Sequence, residues 1–106
     1  MADTLTRLEQ TIRSRKGGDA SASYVAKLFA KGRPKIAQKL GEEAVEAVIA
    51  AMAGDREELV KESADLLFHL TVLLADMDVE LADVFAELDR REGVSGIAEK
   101  AARPQD

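Results

Sequence analysis

The sequence has no cysteine and a single histidine, His69. The first absence excludes disulfides, thiol catalysis, cysteine-ligated zinc and iron–sulfur clusters, and it suits a reducing compartment. The second excludes, within one chain, a ferritin-like di-iron site, which takes a Glu-x-x-His motif from each of two helices. Aromatic residues are scarce, with one tyrosine, three phenylalanines and no tryptophan, so aliphatic side chains must carry the packing. Long apolar runs are missing too. Residues 66–75 come nearest, but His69 and Thr71 interrupt them, and they fall far short of the ~20 residues that span a bilayer. The start of the chain shows no continuous apolar segment of signal-peptide type. A cytoplasmic protein without a membrane segment is therefore expected.

What is present is 46% hydrophobic and 33% charged, with two prolines and seven glycines, the composition of a folded, helix-rich protein. No internal repeat, low-complexity tract or alternating apolar stretch long enough for a strand occurs. Residues 1–106 have room for a single all-α domain, with 94–106 as a C-terminal tail. A domain of this size buries a limited share of its surface and has no disulfide, so a homodimer is expected. Charge is divided along the chain. Residues 1–40 carry nine Lys/Arg against three Asp/Glu, and residues 41–106 carry six against seventeen. The basic residues are spread through structured sequence rather than gathered in an arm, which argues against a nucleic-acid partner. They suit phosphate contacts, and the acidic part suits a cation.

Local signals divide the chain into about five helices. Asp3 caps a first helix on which Leu5, Leu8 and Ile12 recur at helical spacing, ending near Lys16 before Gly17-Gly18. Ser21 or Ser23 caps a short second helix that Gly32 terminates. Pro34 sits in the first turn of a long third helix reaching about Ala53, since a missing N–H costs nothing there. Asp55, with Glu58 three residues on, opens a fourth helix to about Asp76. Its residues 66–74 are apolar almost all round, which predicts a helix buried on most sides. Asp78 caps a fifth helix bearing Leu81, Val84, Phe85 and Leu88, with Gly93 beyond its end, and a further helical turn is expected at 97–102. The architecture this predicts is an all-α bundle around an antiparallel pair of long helices.

Carboxylates carry the chemistry. The third helix holds Glu42, Glu43 and Glu46, and the fourth holds Glu62 and Asp65. Glu43 and Glu46 are three apart, as are Glu62 and Asp65, so each pair projects from one helix face. The turn at Gly54-Asp55 folds the two pairs opposite each other. Carboxylates so grouped resist ionisation unless a positive charge joins them. Oxygen ligands alone favour a hard divalent cation, Mg²⁺ or, as the alternative, Mn²⁺. The opposing interpretation is two solvated acidic faces. His69, on an apolar helix, reads as a hydrogen-bonded core histidine.

Three segments go further: Ser23-Tyr24-Val25-Ala26-Lys27-Leu28, then Lys35-Ile36-Ala37-Gln38-Lys39-Leu40-Gly41-Glu42-Glu43-Ala44-Val45-Glu46, then Glu62-Ser63-Ala64-Asp65-Leu66-Leu67-Phe68-His69-Leu70. The chain resembles the phosphoribosyl-ATP pyrophosphohydrolase family in these, and the likeness continues from Thr11-Ile12 to Ser95-Gly96 and Glu99-Lys100-Ala101. The Glu-x-x-Glu and Glu-x-x-Asp pairs by themselves match the wider all-α nucleotide pyrophosphohydrolase superfamily. The resemblance implies a homodimeric, Mg²⁺-dependent hydrolase of histidine biosynthesis. It would convert phosphoribosyl-ATP and water to phosphoribosyl-AMP and pyrophosphate.

By motif match, the resemblance makes Glu43, Glu46, Glu62 and Asp65 the metal-binding set, with Glu42 as an additional ligand or a residue that positions water. Glu42 or Glu46 is then the carboxylate expected to orient or deprotonate the attacking water. Arg33, Lys35 and Lys39 are the candidates for substrate phosphates, followed by Arg13, Arg15 and Lys16. Two other functions compete: a housekeeping nucleoside triphosphate pyrophosphatase, and a non-catalytic helical dimerisation module.

Overall fold

Five α-helices account for the regular structure of residues 2–93, the part of the chain that the computed structural model describes: α1 (Ala2–Arg15), α2 (Tyr24–Lys31), α3 (Arg33–Met52), α4 (Arg56–Asp76) and α5 (Leu81–Arg91). No strand occurs among the described residues. The turn expected at 97–102 and the rest of the segment 94–106 lie outside them. None of the helices is long and apolar enough to cross a membrane.

The helix boundaries follow from short-range chemistry. Ser23 caps α2, its hydroxyl oxygen accepting from the Ala26 N–H at 3.2 Å. Gly32 at φ +95° ends α2, its N–H donating to the carbonyls of Leu28 and Phe29, and the same residue is the N-cap of α3. One residue thus joins two helices, in a conformation that a side chain would strain. Pro34 fits the first turn of α3. Asp55 caps α4 by accepting from the Glu58 N–H at 3.0 Å.

Only Ala53, Gly54 and Asp55 separate α3 from α4, so the chain reverses sharply and the two long helices lie antiparallel. Their register is fixed at three levels. The Asp55 N–H donates to the Ala50 carbonyl at the turn, Glu43 meets Glu62 midway, and Arg33 Nε pairs with Asp76 Oδ2 at 2.7 Å at the far end. Helices α1 and α2 close over that far half. There Ile12, Val25, Leu28, Ile36, Val72 and Ala75 form the core, flanked by Leu8, Phe29, Phe68 and Leu73.

Three expectations need correction. Helix α1 begins at Ala2, so Asp3 lies inside its first turn, not before it. Helix α5 begins at Leu81 after Glu80, not at Asp78. Asp78 belongs to the end of α4: its N–H and that of Val79 close back onto the carbonyls of Ala75 and Leu74, which leaves Asp78 left-handed at φ +56°. Helix α4 is also less enclosed than its apolar sequence predicts. His69, Thr71, Val72 and Ala75 are buried, whereas Val60 is 70% and Leu67 46% exposed. On α3, Val45, Val48, Ile49 and Met52, at helical spacing, are likewise exposed, each by more than half.

Two basic residues at the end of α1, Arg13 within its last turn and Lys16 just beyond it, both expected as phosphate contacts, hold the α4–α5 connection. Lys16 Nζ donates to the carbonyls of Ala75 and Asp76 and pairs with Asp78, a cation placed at the negative end of a helix dipole. Arg13 donates to the Val79 carbonyl at 3.1 Å.

Candidate active site

The middle of the α3–α4 pair brings the acidic residues together. Carboxylate oxygens of Glu43, Glu62 and Asp65 lie within 4.8 Å of one another. Helix spacing puts Glu62 and Asp65 on one side of α4, and the antiparallel register sets Glu43 across from them. Two oxygens, Glu43 Oε2 and Glu62 Oε1, are shut off from solvent with no hydrogen-bond donor among the described residues. A buried charged oxygen without a partner is costly.

The proton affinities carry the same strain. The Glu62 carboxyl is pushed up to about 8, first by the Glu43 carboxyl beside it, then by desolvation, then by Glu58 and Glu46. Glu43 is raised as well, chiefly by desolvation, with Glu46 and Asp65 adding to it. Near neutral pH, without a cation, the pair retains a proton between its oxygens. Glu43, Glu62 and Asp65 are the residues that would hold a divalent cation here, and its charge would take the place of that proton. An all-oxygen, anionic donor set of this kind suits a hard cation.

Glu46 lies one turn along α3 from Glu43 and acts on both Glu43 and Glu62. It lines a cavity of about 250 Å³ together with Ile49, Ala50, Ala53, Asp55, Glu58 and Glu62. Glu58, whose N–H closes the Asp55 cap of α4, is a further acidic residue of this site. It also reaches the Glu62 carboxyl, and the signal that places it there is its spacing of four residues from Glu62 on one helix face.

Glu42 is held apart from this group. Its carboxylate accepts from Gln38 Nε2 at 2.8 Å and pairs with Lys39 Nζ at 3.4 Å. Hydrogen bonding by Gln38, then by Lys39, keeps it more acidic than an ordinary glutamate. Lys39 is correspondingly held protonated, first by Glu42, and it also feels Tyr24 and Glu43. Lys35 is eight residues and Arg33 ten residues before Glu43, about 12 and 15 Å along the helix axis. Of the three basic candidates on α3, the fold brings Lys39 to the acidic group. It ties Arg33 to Asp76 at the opposite end.

His69, the buried histidine of α4, reaches Tyr24 of α2. Its Nε2 is 3.1 Å from the Tyr24 hydroxyl and its Nδ1 is 2.8 Å from the Asp65 carbonyl oxygen.

Residues 5–92 match the family model described as phosphoribosyl-ATP pyrophosphohydrolase. A phosphoribosyl-ATP pyrophosphatase of Rhizorhabdus wittichii is 70% identical, over 99% of both chains. Proteins of the same name from Novosphingobium aromaticivorans and Rhodobacter capsulatus are 68% and 64% identical, covering 95% and 93% of this chain and 94% and 96% of theirs.

Proposed function

The chain belongs to the phosphoribosyl-ATP pyrophosphohydrolase family, whose enzymes split phosphoribosyl-ATP into phosphoribosyl-AMP and pyrophosphate in histidine biosynthesis, and we propose that it performs this hydrolysis between α3 and α4. It is a phosphoric anhydride hydrolase acting on a nucleotide. The observation that carries the location is the pair of solvent-shielded, unpartnered oxygens of Glu43 and Glu62, with Asp65 beside them.

Glu43, Glu46, Glu62 and Asp65 are the residues that would hold Mg²⁺, with Mn²⁺ as the alternative. Such an ion neutralises charge on the phosphate oxygens of the scissile anhydride. The protein does the rest by placement. Glu46, at the rim of the cavity it shares with Glu58, is the carboxylate positioned to take the proton of the attacking water. Glu42 is kept ionised by Gln38 and Lys39, which makes it a weaker base and a better fixed acceptor for orienting water. Lys39 stands next to both acidic positions and offers its ammonium to the departing pyrophosphate. Ile49, Ala50 and Ala53 give the cavity an apolar wall that limits competing water.

The same family reading includes a homodimer. Val45, Val48, Ile49 and Met52 recur at helical spacing, and with Val60 and Leu67 they leave an apolar surface uncovered. A second copy laid on it completes a bundle of long helices and stands beside Glu46, which lies within the same stretch of α3.

The test is pyrophosphate release from a panel of phosphoribosyl-ATP, ATP and deoxynucleoside triphosphates, with and without Mg²⁺. Release from phosphoribosyl-ATP that requires the cation is expected. Preference for free triphosphates would point to the housekeeping activity, and release from none would refute catalysis.

A further inference from the structure

The hydroxyl of Tyr24 is oriented by a buried histidine, although Tyr24 as a whole is 52% exposed. The Asp65 carbonyl can only accept, so neutral His69 carries its proton on Nδ1 and presents Nε2 as an acceptor. The Tyr24 hydroxyl therefore donates to Nε2 across 3.1 Å, and the lone pairs of its oxygen remain open. One ring face is backed by Phe68, with centroids 6.1 Å apart and planes 24° from parallel. Tyr24 is thus a fixed wall, and what it walls is a cavity of about 610 Å³ lined by Ala20, Ser21, Ala22, Ser23, Tyr24 and Lys27. That volume lies within the ~300–1,000 Å³ usual for small-molecule sites.

The cavity adjoins the acidic group by two routes through Tyr24. One runs through His69 to the backbone of Asp65. The other runs through Lys39, which feels Tyr24 and pairs with Glu42. Its lining has the chemistry of a phosphorylated sugar site. Ser23 Oγ accepts from the Ala26 N–H, which leaves its own proton to donate. Lys27 has no carboxylate partner among the described residues, unlike Lys16, Arg33 and Lys39.

Resting on the function proposed above, we propose that this cavity is the subsite for the phosphoribosyl substituent of the substrate. Lys27 pairs with its terminal phosphate, while Ser23 and Tyr24 meet its sugar hydroxyls. The substrate differs from ATP by this second phosphorylated ribose. With the α–β anhydride at the acidic group, the second phosphate must lie away from those carboxylates and needs a cation that no carboxylate already occupies. Lys27 meets both requirements. Its role is selection of the substrate, not bond cleavage.

Phosphate chemistry alone does not say whether Lys27 holds this phosphate or the γ-phosphate, and inhibition by the two products separates them. Phosphoribosyl-AMP retains the phosphoribosyl group, and pyrophosphate carries the γ-phosphate. Steady-state kinetics on phosphoribosyl-ATP with Mg²⁺ would be compared for the wild type, Lys27→Gln, Lys27→Arg and Lys31→Gln, each checked for unchanged helicity. Lys27→Gln is expected to raise KM and the inhibition constant of phosphoribosyl-AMP together by about tenfold or more, the worth of a charge-assisted hydrogen bond. Its kcat and its inhibition by pyrophosphate should stay near wild type. Lys27→Arg should recover most of the affinity, and Lys31→Gln, one turn along the same helix, should leave it unchanged. An unchanged KM in Lys27→Gln overturns the subsite, and so does weakened inhibition by pyrophosphate in place of phosphoribosyl-AMP. A wild type inert toward phosphoribosyl-ATP would instead refute the functional reading, and the subsite with it.

Discussion

Glu43 of α3 and Glu62 of α4 each bring one carboxylate oxygen into a space closed to solvent, and neither oxygen meets a donor among the described residues. Two helices packed in this register hold the carboxyls together whether or not anything positive lies between them. The fold therefore carries a repulsion that a proton or a cation relieves, and the consequences are measurable.

Replacing Glu62 by Gln removes a charge, keeps the shape and supplies a donor to Glu43. The variant should melt at or above the temperature of the metal-free wild type at pH 8. It should lose pyrophosphate release by on the order of 100-fold. Near-normal release by a folded Glu62→Gln protein would remove this residue from the site.

Stability should depend on pH in a direction opposite to that of most carboxylates. Glu62 is raised from about 4.5 to about 8 in the folded chain, so the folded state binds a proton that the unfolded state gives up across this window. Its favourable contribution is complete below about pH 4.5 and is lost as pH rises through about 8. Thermal melts of the metal-free protein should fall from pH 5 to pH 8. Millimolar Mg²⁺ should reverse most of that fall at pH 8, since ligand bound only to the native state raises its stability. A flat profile unaffected by Mg²⁺ would contradict the shared site.

Placing a charge in the apolar stripe should separate the proposed dimer. Val48 and Ile49 are each 61% exposed within one chain, so Val48→Glu with Ile49→Glu costs little in the isolated fold. Light scattering should report a mass halved relative to wild type, with helical circular dichroism retained. An unchanged mass would place the interface elsewhere.

Much of this was legible because it is local. Ser23, Gly32 and Asp55 act within a few residues of themselves, and each marks a helix end where the sequence places it. The spacing of Glu62 and Asp65 likewise puts both on one helix face. Contacts between distant residues left no such trace. Nothing near Tyr24 announces His69, 45 positions away, and nothing near Lys16 or Arg13 announces the carbonyls of the α4–α5 connection that they bind. Asp78 resembled a helix N-cap by type, but the close of α4 had already taken its backbone. The run of apolar residues in α4 predicts a helix buried on most sides, yet Leu67 within it is exposed, because composition does not say which neighbour covers a face.

Core packing offers an independent check on the fold. Ile36 is fully buried where α3 meets the core residues of α1, α2 and α4. Ile36→Ala should destabilise the protein by about 2–5 kcal/mol, read from denaturant midpoints at a fixed protein concentration. A loss below about 0.5 kcal/mol, the usual size for surface changes, would mean that this residue is not central.

The central claim is that carboxylates from α3 and α4 share one divalent cation, and Mn²⁺ makes that directly visible. Anomalous diffraction from crystals grown with Mn²⁺ should show a peak within coordination distance of Glu43, Glu62 and Asp65. That peak should vanish in Glu62→Gln crystals grown the same way. A wild-type map with no manganese between those residues, at a concentration that supports pyrophosphate release, would contradict it.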